Sequence, residues 1–332
     1  MSPITQNPSH QRLAHAPGRP AHGHWILGPG AVGRLLAMRL ADSVPVTLIG
    51  RRPPPVRLTL TTPEGERETR ELPGATLESL PPTPPTMLHL TTKAYGVEAA
   101  IAALADRLPA ETPLVLWQNG FSVQEALTRT WPGPVLCAST TEGAFVDDTP
   151  ADAGDRAGDR VGDRDQGIIH AGHGRTVIGH LEGAYPALAT TLAGILSAAE
   201  LPCEAVEDIR VRLWHKLAVN AAINPLVARF RIRNGQLRDR PFQPMVEALV
   251  AELAAIMAAE NIPSPAGGWS DRVWDVVENT ANNRASMLQD VLAGRPTEID
   301  AILGPLIEAA RRHGLAVPAL ASNYRAMCPP AS

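Results

Sequence analysis

The apolar positions of this 332-residue chain follow two different patterns. From His24 to about residue 206, short apolar runs alternate with segments of helical periodicity. Trp25, Ile26 and Leu27 form the first run and end in glycines, the pattern of a buried parallel strand that turns into a helix over 32–40. A second run, Val46 to Ile49, ends at Gly50-Arg51-Arg52, and further strand-like runs fall at 86–91, 113–117 and 135–138. Such alternation predicts a parallel sheet covered on both faces. From Asp208 onward the period becomes helical, at 211–223, 244–260, 268–279, 287–293 and 298–313, and no strand is expected there.

Two segments fit neither pattern. Residues 1–23 carry Pro, Ser, His, Gly and scattered Arg with almost no apolar side chains, which predicts a disordered tail. The run lacks the apolar middle of a secretory signal. Between 150 and 167 the chain repeats AGDR, AGDR and VGDR, a tract without core-forming residues that reads as a low-complexity surface insertion. After it, 167–170 and 175–178 resemble a hairpin with Gly172 and Gly174 in the turn.

Composition narrows the function classes. A formal net charge of -4 and a pI near 6.2 argue against a general affinity for nucleic acid. Apolar residues make up 44%, and no uninterrupted apolar stretch is long enough to span a bilayer. Cys137, Cys203 and Cys328 stand far apart with no metal-ligand spacing near them, so neither a disulfide frame nor a zinc site is indicated. A small-molecule enzyme of the reducing cytoplasm is the expectation.

Gly28-Pro29-Gly30-Ala31-Val32-Gly33 matches Gly-x-Gly-x-x-Gly where the first strand gives way to a helix. The first glycine permits the tight turn, the second lets backbone approach a pyrophosphate, and the third allows close helix packing. The fold expected is therefore α/β plus all-α: a Rossmann-type dinucleotide-binding domain over 24–206, then a helical substrate domain over 207–328, with the cleft between them. An NAD-binding domain carries an acid at the end of the second strand, whereas this chain has Arg51 and Arg52. A guanidinium there pairs with a 2′-phosphate, which favours NADPH.

LWHKLAVNAAINPL, at 213–226, places Lys216, Asn220 and Asn224 at four-residue intervals along one face of an otherwise apolar helix. Buried amides and an ammonium need partners, because an unsatisfied polar group costs roughly 1–3 kcal/mol. A bound oxoacid supplies them; alternatively the lysine snorkels to water from a half-buried helix. Asn224 before Pro225 reads as a helix end.

These segments, with NGQLRDRP at 234–241 and SMLQDVLAGRPTEIDAI at 286–302, closely resemble the 2-dehydropantoate 2-reductase, or ketopantoate reductase, family. The likeness runs from Trp25 to about Pro318. It implies NADPH-dependent reduction of ketopantoate to pantoate, for pantothenate and coenzyme A synthesis. It implies Lys216 as proton donor and Asn220, Asn224, Asn234 and Ser286 as substrate-binding residues. It also implies cofactor contacts at Arg51, Lys93 in LTTKAYG, Asn119 in WQNG, Ala144 in TTEGA and Glu298, with Asn119 touching substrate as well. Ser286 with Gln289 also has the spacing of a capping box, and Glu298 after Thr297 looks like a helix start.

The chain departs from the family pattern at Gly96, at Phe121-Ser122 and in the repeat insertion. Two other functions stay open at this level: reduction of another 2-oxoacid, and a non-catalytic NADPH-binding regulator. A homodimer is expected only from the prevalence of twofold oligomers.

Overall fold

The computed structural model describes residues 23–147 and 166–328. The expected tail except Gly23, and the expected insertion except residues 166 and 167, lie outside the described residues.

The first half is built of strands and helices in alternation. β1 (His24–Leu27), α1 (Ala31–Leu40) and β2 (Val46–Gly50) are followed by β3 (Arg57–Thr61), β4 (Arg67–Glu71) and β5 (Gly74–Thr76). Next come β6 (Met87–Leu90), α2 (Val97–Leu104), β7 (Leu114–Leu116), α3 (Gln124–Thr130), β8 (Val135–Thr140) and β9 (Gly143–Asp147). The half closes with β10 (Gln166–Gly172), β11 (Thr176–Gly179), α4 (Pro186–Ala198) and β12 (Cys203–Ala205). The second half is helical: α5 (Ile209–Phe230), α6 (Phe242–Ala259), α7 (Gly268–Asn279), α8 (Ser286–Leu292), α9 (Ile299–Arg312) and α10 (Pro318–Met327).

Eight strands form the main sheet in the order β12-β11-β8-β7-β6-β1-β2-β5, parallel except where β11 runs against β8. The chain leaves β1 toward β2 on one side and later returns to β6 on the other. That reversal opens a crevice at the carboxyl end of β1, where open α/β sheets bind ligands. β1, β6 and β7 are buried along their whole length, as strands covered on both faces must be.

A second sheet, β4-β3-β10-β9, is not foreseen by the apolar pattern. β4 alternates exposed and half-buried positions and carries four charged residues, so it lacks the apolar signal of a core strand. This sheet covers α1, which packs on β1 and β2 below and on β3, β9 and β10 above. Buried from Gly33 to Leu40, α1 encloses Arg39, whose Nη1 reaches Glu200 at 2.6 Å and Glu68 at 3.1 Å.

Four local expectations are corrected. The 167–170 and 175–178 segments form no hairpin, since β10 pairs with β9 and β3 while β11 pairs with β8 and β12. The chain changes sheets between them, and it crosses so closely that a Cβ on Gly174 would sit 2.3 Å from Glu142 N. Gln166 and Gly167 belong to β10, so the expected insertion boundary runs two residues too far. Helix α5 does not end at Asn224 but continues past Pro225 to Phe230, stopping where Arg231 turns left-handed at φ 53°. The proline removes one ladder donor, and dense packing on both sides of it holds the helix together. Finally, Ser286 forms no capping box: Ala285 is the N-cap of α8, and Gln289 Nε2 donates to the Arg284 carbonyl instead.

α5 is the pillar of the second half. Asp208 caps it by accepting from Val211 N, and it packs against α6 to α10 and against β8 and β11 of the main sheet. Among the described residues, one helix, α6, is long and apolar enough to cross a membrane by length and composition. It lies against α5, α7, α9 and α10, which accounts for its apolar character as helix-packing surface.

Within the main sheet, His24 Nδ1 and His89 Nε2 lie 3.0 Å apart, and Trp117 Nε1 donates to His89 Nδ1 at 3.1 Å. Burial pushes His24 down to about 4; burial and then the neighbouring His24 push His89 well below its ordinary value. Both are therefore neutral in the fold, whereas in the unfolded chain they take up protons near pH 6.5. The unfolded state binds more protons throughout that window, so stability is lost as pH falls from about 6.5 toward about 4. The expected result is a urea midpoint that drops between about pH 7.5 and 5, with a shallower slope in His24→Asn; a flat profile in the parent chain contradicts it.

Candidate active site

The glycine loop has the shape its sequence implies. Gly28 holds φ at 118°, and a Cβ there would lie 2.6 Å from Thr92 N. At Gly33 a Cβ would stand 2.0 Å from the Gly28 carbonyl, so α1 can meet the loop only through glycine. Gly30, by contrast, is exposed with nothing within 4 Å of a built Cβ, leaving open space at the amino end of α1 where an anion fits. Thr91 Oγ1 donates to the Leu27 and Gly28 carbonyls, and Arg34 Nε donates to the Pro29 carbonyl, so the loop is tied on both sides. Ala31 and Val32 are half-buried beside it, and Arg51 is exposed directly after β2. These features fit a dinucleotide with a phosphorylated ribose.

Where the two halves meet, a set of charges is gathered around Glu298, which is 6% exposed. It is the N-cap residue of α9, yet its side chain does not cap that helix. Instead Oε2 accepts from Lys93 Nζ at 3.1 Å and from Asn119 Nδ2 at 3.5 Å, while Oε1 accepts from Ala94 N at 3.2 Å. Lys93 Nζ also donates to Asp290 Oδ2 at 2.9 Å, and Arg295 Nε holds the other Asp290 oxygen at 3.0 Å. Burial pulls the Lys93 pKa down, but Glu298 and Asp290 outweigh it and the net shift is upward. Lys93 therefore stays charged.

The loop after β7 is fitted to the same seam. Gly120, at φ 84°, leaves no room for a side chain because a Cβ would lie 2.2 Å from the Ala301 carbonyl. Phe121 N donates to that carbonyl, and the Phe121 ring packs on Trp214 of α5 at 5.3 Å. The unusual Phe121 thus locks Asn119 beside Glu298. Gly96 is a neutral departure, since a built Cβ there meets only Thr92 Cβ at 3.9 Å.

Lys216 is half-buried on α5, and its Nζ donates to the Thr140 carbonyl at 2.7 Å. Burial lowers its pKa to about 8, with Glu298 pulling it back upward. Asn220 is half-buried, Asn224 is 8% exposed, and Ser286 is exposed at the start of α8, which packs on α5. Among the described residues none of these three side chains has a hydrogen-bond partner, so all are available to a ligand. Asn234 differs: it is buried and donates through Nδ2 to Thr280 Oγ1 at 2.9 Å, with Oδ1 lacking a protein partner. Ala144 lies half-buried in β9.

Direct contacts therefore unite Lys93, Asn119 and Glu298, and electrostatics links Lys216 to them. Among the described residues, no hydrogen bond or ion pair joins Arg51, Ala144, Asn234 or Ser286 to that group. Sequence reasoning missed Asp290, the Ala94 amide and the Thr140 carbonyl. Only Asp290 left a signal, as an acid inside the apolar run SMLQDVL; backbone groups leave none.

Comparison with known proteins agrees along most of the chain. The model described as ketopantoate reductase PanE/ApbA matches residues 25–183, and its C-terminal counterpart matches residues 208–327. A 2-dehydropantoate 2-reductase of Vibrio cholerae is 35% identical over 302 residues, covering 90% of this chain and 95% of that protein. The crystal structure of 2-dehydropantoate 2-reductase from Methylococcus capsulatus superposes with TM-score 0.74 at 25% identity, covering 92% of this chain and 95% of that one. D-Mandelate dehydrogenase in a ternary complex with NADH and anilino(oxo)acetate reaches TM-score 0.77 at 20% identity, over 92% of this chain and 97% of that one, a likeness of fold alone.

The charge cluster predicts an asymmetry between two substitutions in the cofactor-free protein. Lys93→Met leaves the buried Glu298 without its cation and is expected to destabilise by about 3 kcal/mol. Asp290→Asn releases Lys93 and Arg295, which are 37% and 54% exposed and can regain water, so its effect is about 1 kcal/mol. Chemical denaturation checks the order, and equal losses contradict it.

Proposed function

The chain belongs to the ketopantoate reductase family, and we propose that Lys216 and the amide face of α5 carry out its reaction, the NADPH-dependent reduction of 2-dehydropantoate to pantoate. The observation that supports this most strongly is the geometry of α5: Lys216 Nζ is fixed by one backbone acceptor, on the same helix as Asn220 and Asn224, whose amides have no hydrogen-bond partner among the described residues, and burial lowers the lysine pKa to about 8. The proposed division is a cofactor unit over 24–206 and a substrate unit over 207–328, with the reaction at their seam.

In this reading the cofactor lies along Gly28, Pro29, Gly30, Ala31, Val32 and Gly33, with Arg51 at the 2′-phosphate and Lys93, Asn119, Ala144 and Glu298 nearer the nicotinamide end. When bound, the reduced nicotinamide supplies the hydride to the C2 ketone. Asn220, Asn224, Asn234 and Ser286 hold the substrate's carboxylate, ketone and hydroxyl oxygens without adding a second charge. Asn119 contacts both ligands. As negative charge develops on the ketone oxygen, the Lys216 ammonium stabilises it and then transfers a proton to it. An acid with a pKa near the working pH suits this role, since it is substantially protonated yet gives its proton up readily. Glu298 keeps the lysine from becoming too acidic, as its upward pull on the pKa indicates.

We place the protein in the cytoplasm, a proposal supported by its three free cysteines, and propose a homodimer on the prevalence of isologous pairs.

NADPH oxidation in the presence of ketopantoate tests this reading. Wild type is expected to turn over with NADPH faster than with NADH, and Lys216→Ala is expected to lose at least about a hundredfold in kcat with little change in KM for NADPH. Undiminished kcat in the variant removes Lys216 as donor, and turnover of other 2-oxoacids but not ketopantoate reassigns the substrate.

A further inference from the structure

The Thr140 carbonyl is the group that fixes Lys216, and the backbone around it is tied by several hydrogen bonds. Thr140 ends β8, after which the chain crosses from the main sheet to β9 of the small sheet. The return crossing, from β10 to β11, passes through the same point. Thr141 N donates to the Arg175 carbonyl at 3.0 Å, Arg175 N donates to Thr141 Oγ1 at 2.9 Å, and Thr176 Oγ1 donates to Thr140 Oγ1 at 2.9 Å. Glu142 N closes the turn on Thr140 Oγ1 at 3.1 Å.

A buried ion-capable pair sits directly behind this junction. The Glu142 side chain is 5% exposed and that of His170, on β10, is 0% exposed. Glu142 Oε2 lies 2.7 Å from His170 Nε2 and accepts from Gly174 N at 2.9 Å. One carboxylate oxygen thus joins the outgoing crossing, strand β10 and the returning crossing. Only Oε2 is engaged, since Glu142 Oε1 and His170 Nδ1 have no partner among the described residues; a carboxylate buried at that cost exceeds what one amide requires, because a smaller polar side chain suffices to satisfy it.

We propose that Glu142 and His170 are positioning residues for Lys216, holding the Thr140 carbonyl in the place from which it orients the lysine's ammonium. The proposal rests on the reading of Lys216 as proton donor. Lysine has a long flexible stem and three donors, so a single fixed acceptor restricts its rotamers and leaves the other two N–H groups to a ligand. A small displacement of that acceptor misaligns proton delivery while leaving the distant glycine loop intact. Among the described residues no hydrogen bond joins Glu142 or His170 to Lys216 or to the Lys93, Asn119 and Glu298 group, and both act through the backbone of residue 140.

A double-mutant cycle tests it. Values of kcat, KM for ketopantoate and NADPH affinity by fluorescence are measured for Glu142→Ala, Glu142→Gln, Lys216→Ala and the double variant Glu142→Ala/Lys216→Ala. Glu142→Ala is expected to lower kcat roughly tenfold with NADPH affinity changed less than about threefold, and Glu142→Gln, which keeps the acceptor for Gly174 N, to restore most of it. In the Lys216→Ala background the residual rate is expected to fall by less than about twofold, because the group being positioned is gone. An unchanged kcat in Glu142→Ala, or the same tenfold loss in both backgrounds, overturns the proposal. Full activity in Lys216→Ala itself is a separate failure, that of the proton-donor reading. If Glu142→Ala does not fold, His170→Gln carries the same cycle.

Discussion

A carboxylate buried at the seam of two structural halves must find cations or donors, and Glu298 finds them on the other side of that seam. Its partners are Lys93, the Ala94 amide and Asn119, all from loops at the carboxyl edge of the main sheet, while Glu298 itself belongs to the helical half. Much of the site's arrangement follows from this satisfaction of buried charge. Gly120 must be a glycine so that the Asn119 loop can lie against α9, and Asp290 adds a second carboxylate that keeps Lys93 charged. Through space, the same Glu298 moderates the acidity of Lys216. Structural cohesion and the acidity of Lys216 thus draw on one group.

In the proposed division of work, each half does what its architecture does well. The parallel sheet presents a crevice at its topological switch point, with amides and glycines suited to a phosphate chain. The helical half presents a long buried face on which side chains at four-residue spacing share one direction. Hydride transfer needs a cofactor and a substrate brought face to face, and the seam is where backbone-built and side-chain-built surfaces meet.

Features encoded by local period and by steric necessity are legible in the sequence. Gly33 announces a helix that must touch a loop, and apolar spacing alone bounds α7 at 268–279. Four-residue spacing puts Lys216, Asn220 and Asn224 on one helix face, and the family resemblance adds Glu298 and Lys93, which the structure brings into contact. The small sheet is hidden because β4 is largely charged and its pairing with β3 is decided by neighbours rather than by pattern. The 167–178 segment misleads for a related reason: glycines signal a sharp change of direction but not which sheet the next strand joins. Pro225 misleads because tertiary packing overrides a local helix breaker.

Lys216, as proposed, acts as an acid whose strength is set by burial and by Glu298. The pH dependence of kcat/KM with saturating NADPH tests this most directly, in wild type and in Glu298→Gln. Because the protonated lysine is the active form, activity in wild type should decline as pH rises through about 8, and loss of the Glu298 charge should move that descending limb to lower pH. A limb near 10.5, the ordinary value for lysine, or one that stays in place when Glu298 is neutralised, contradicts the account.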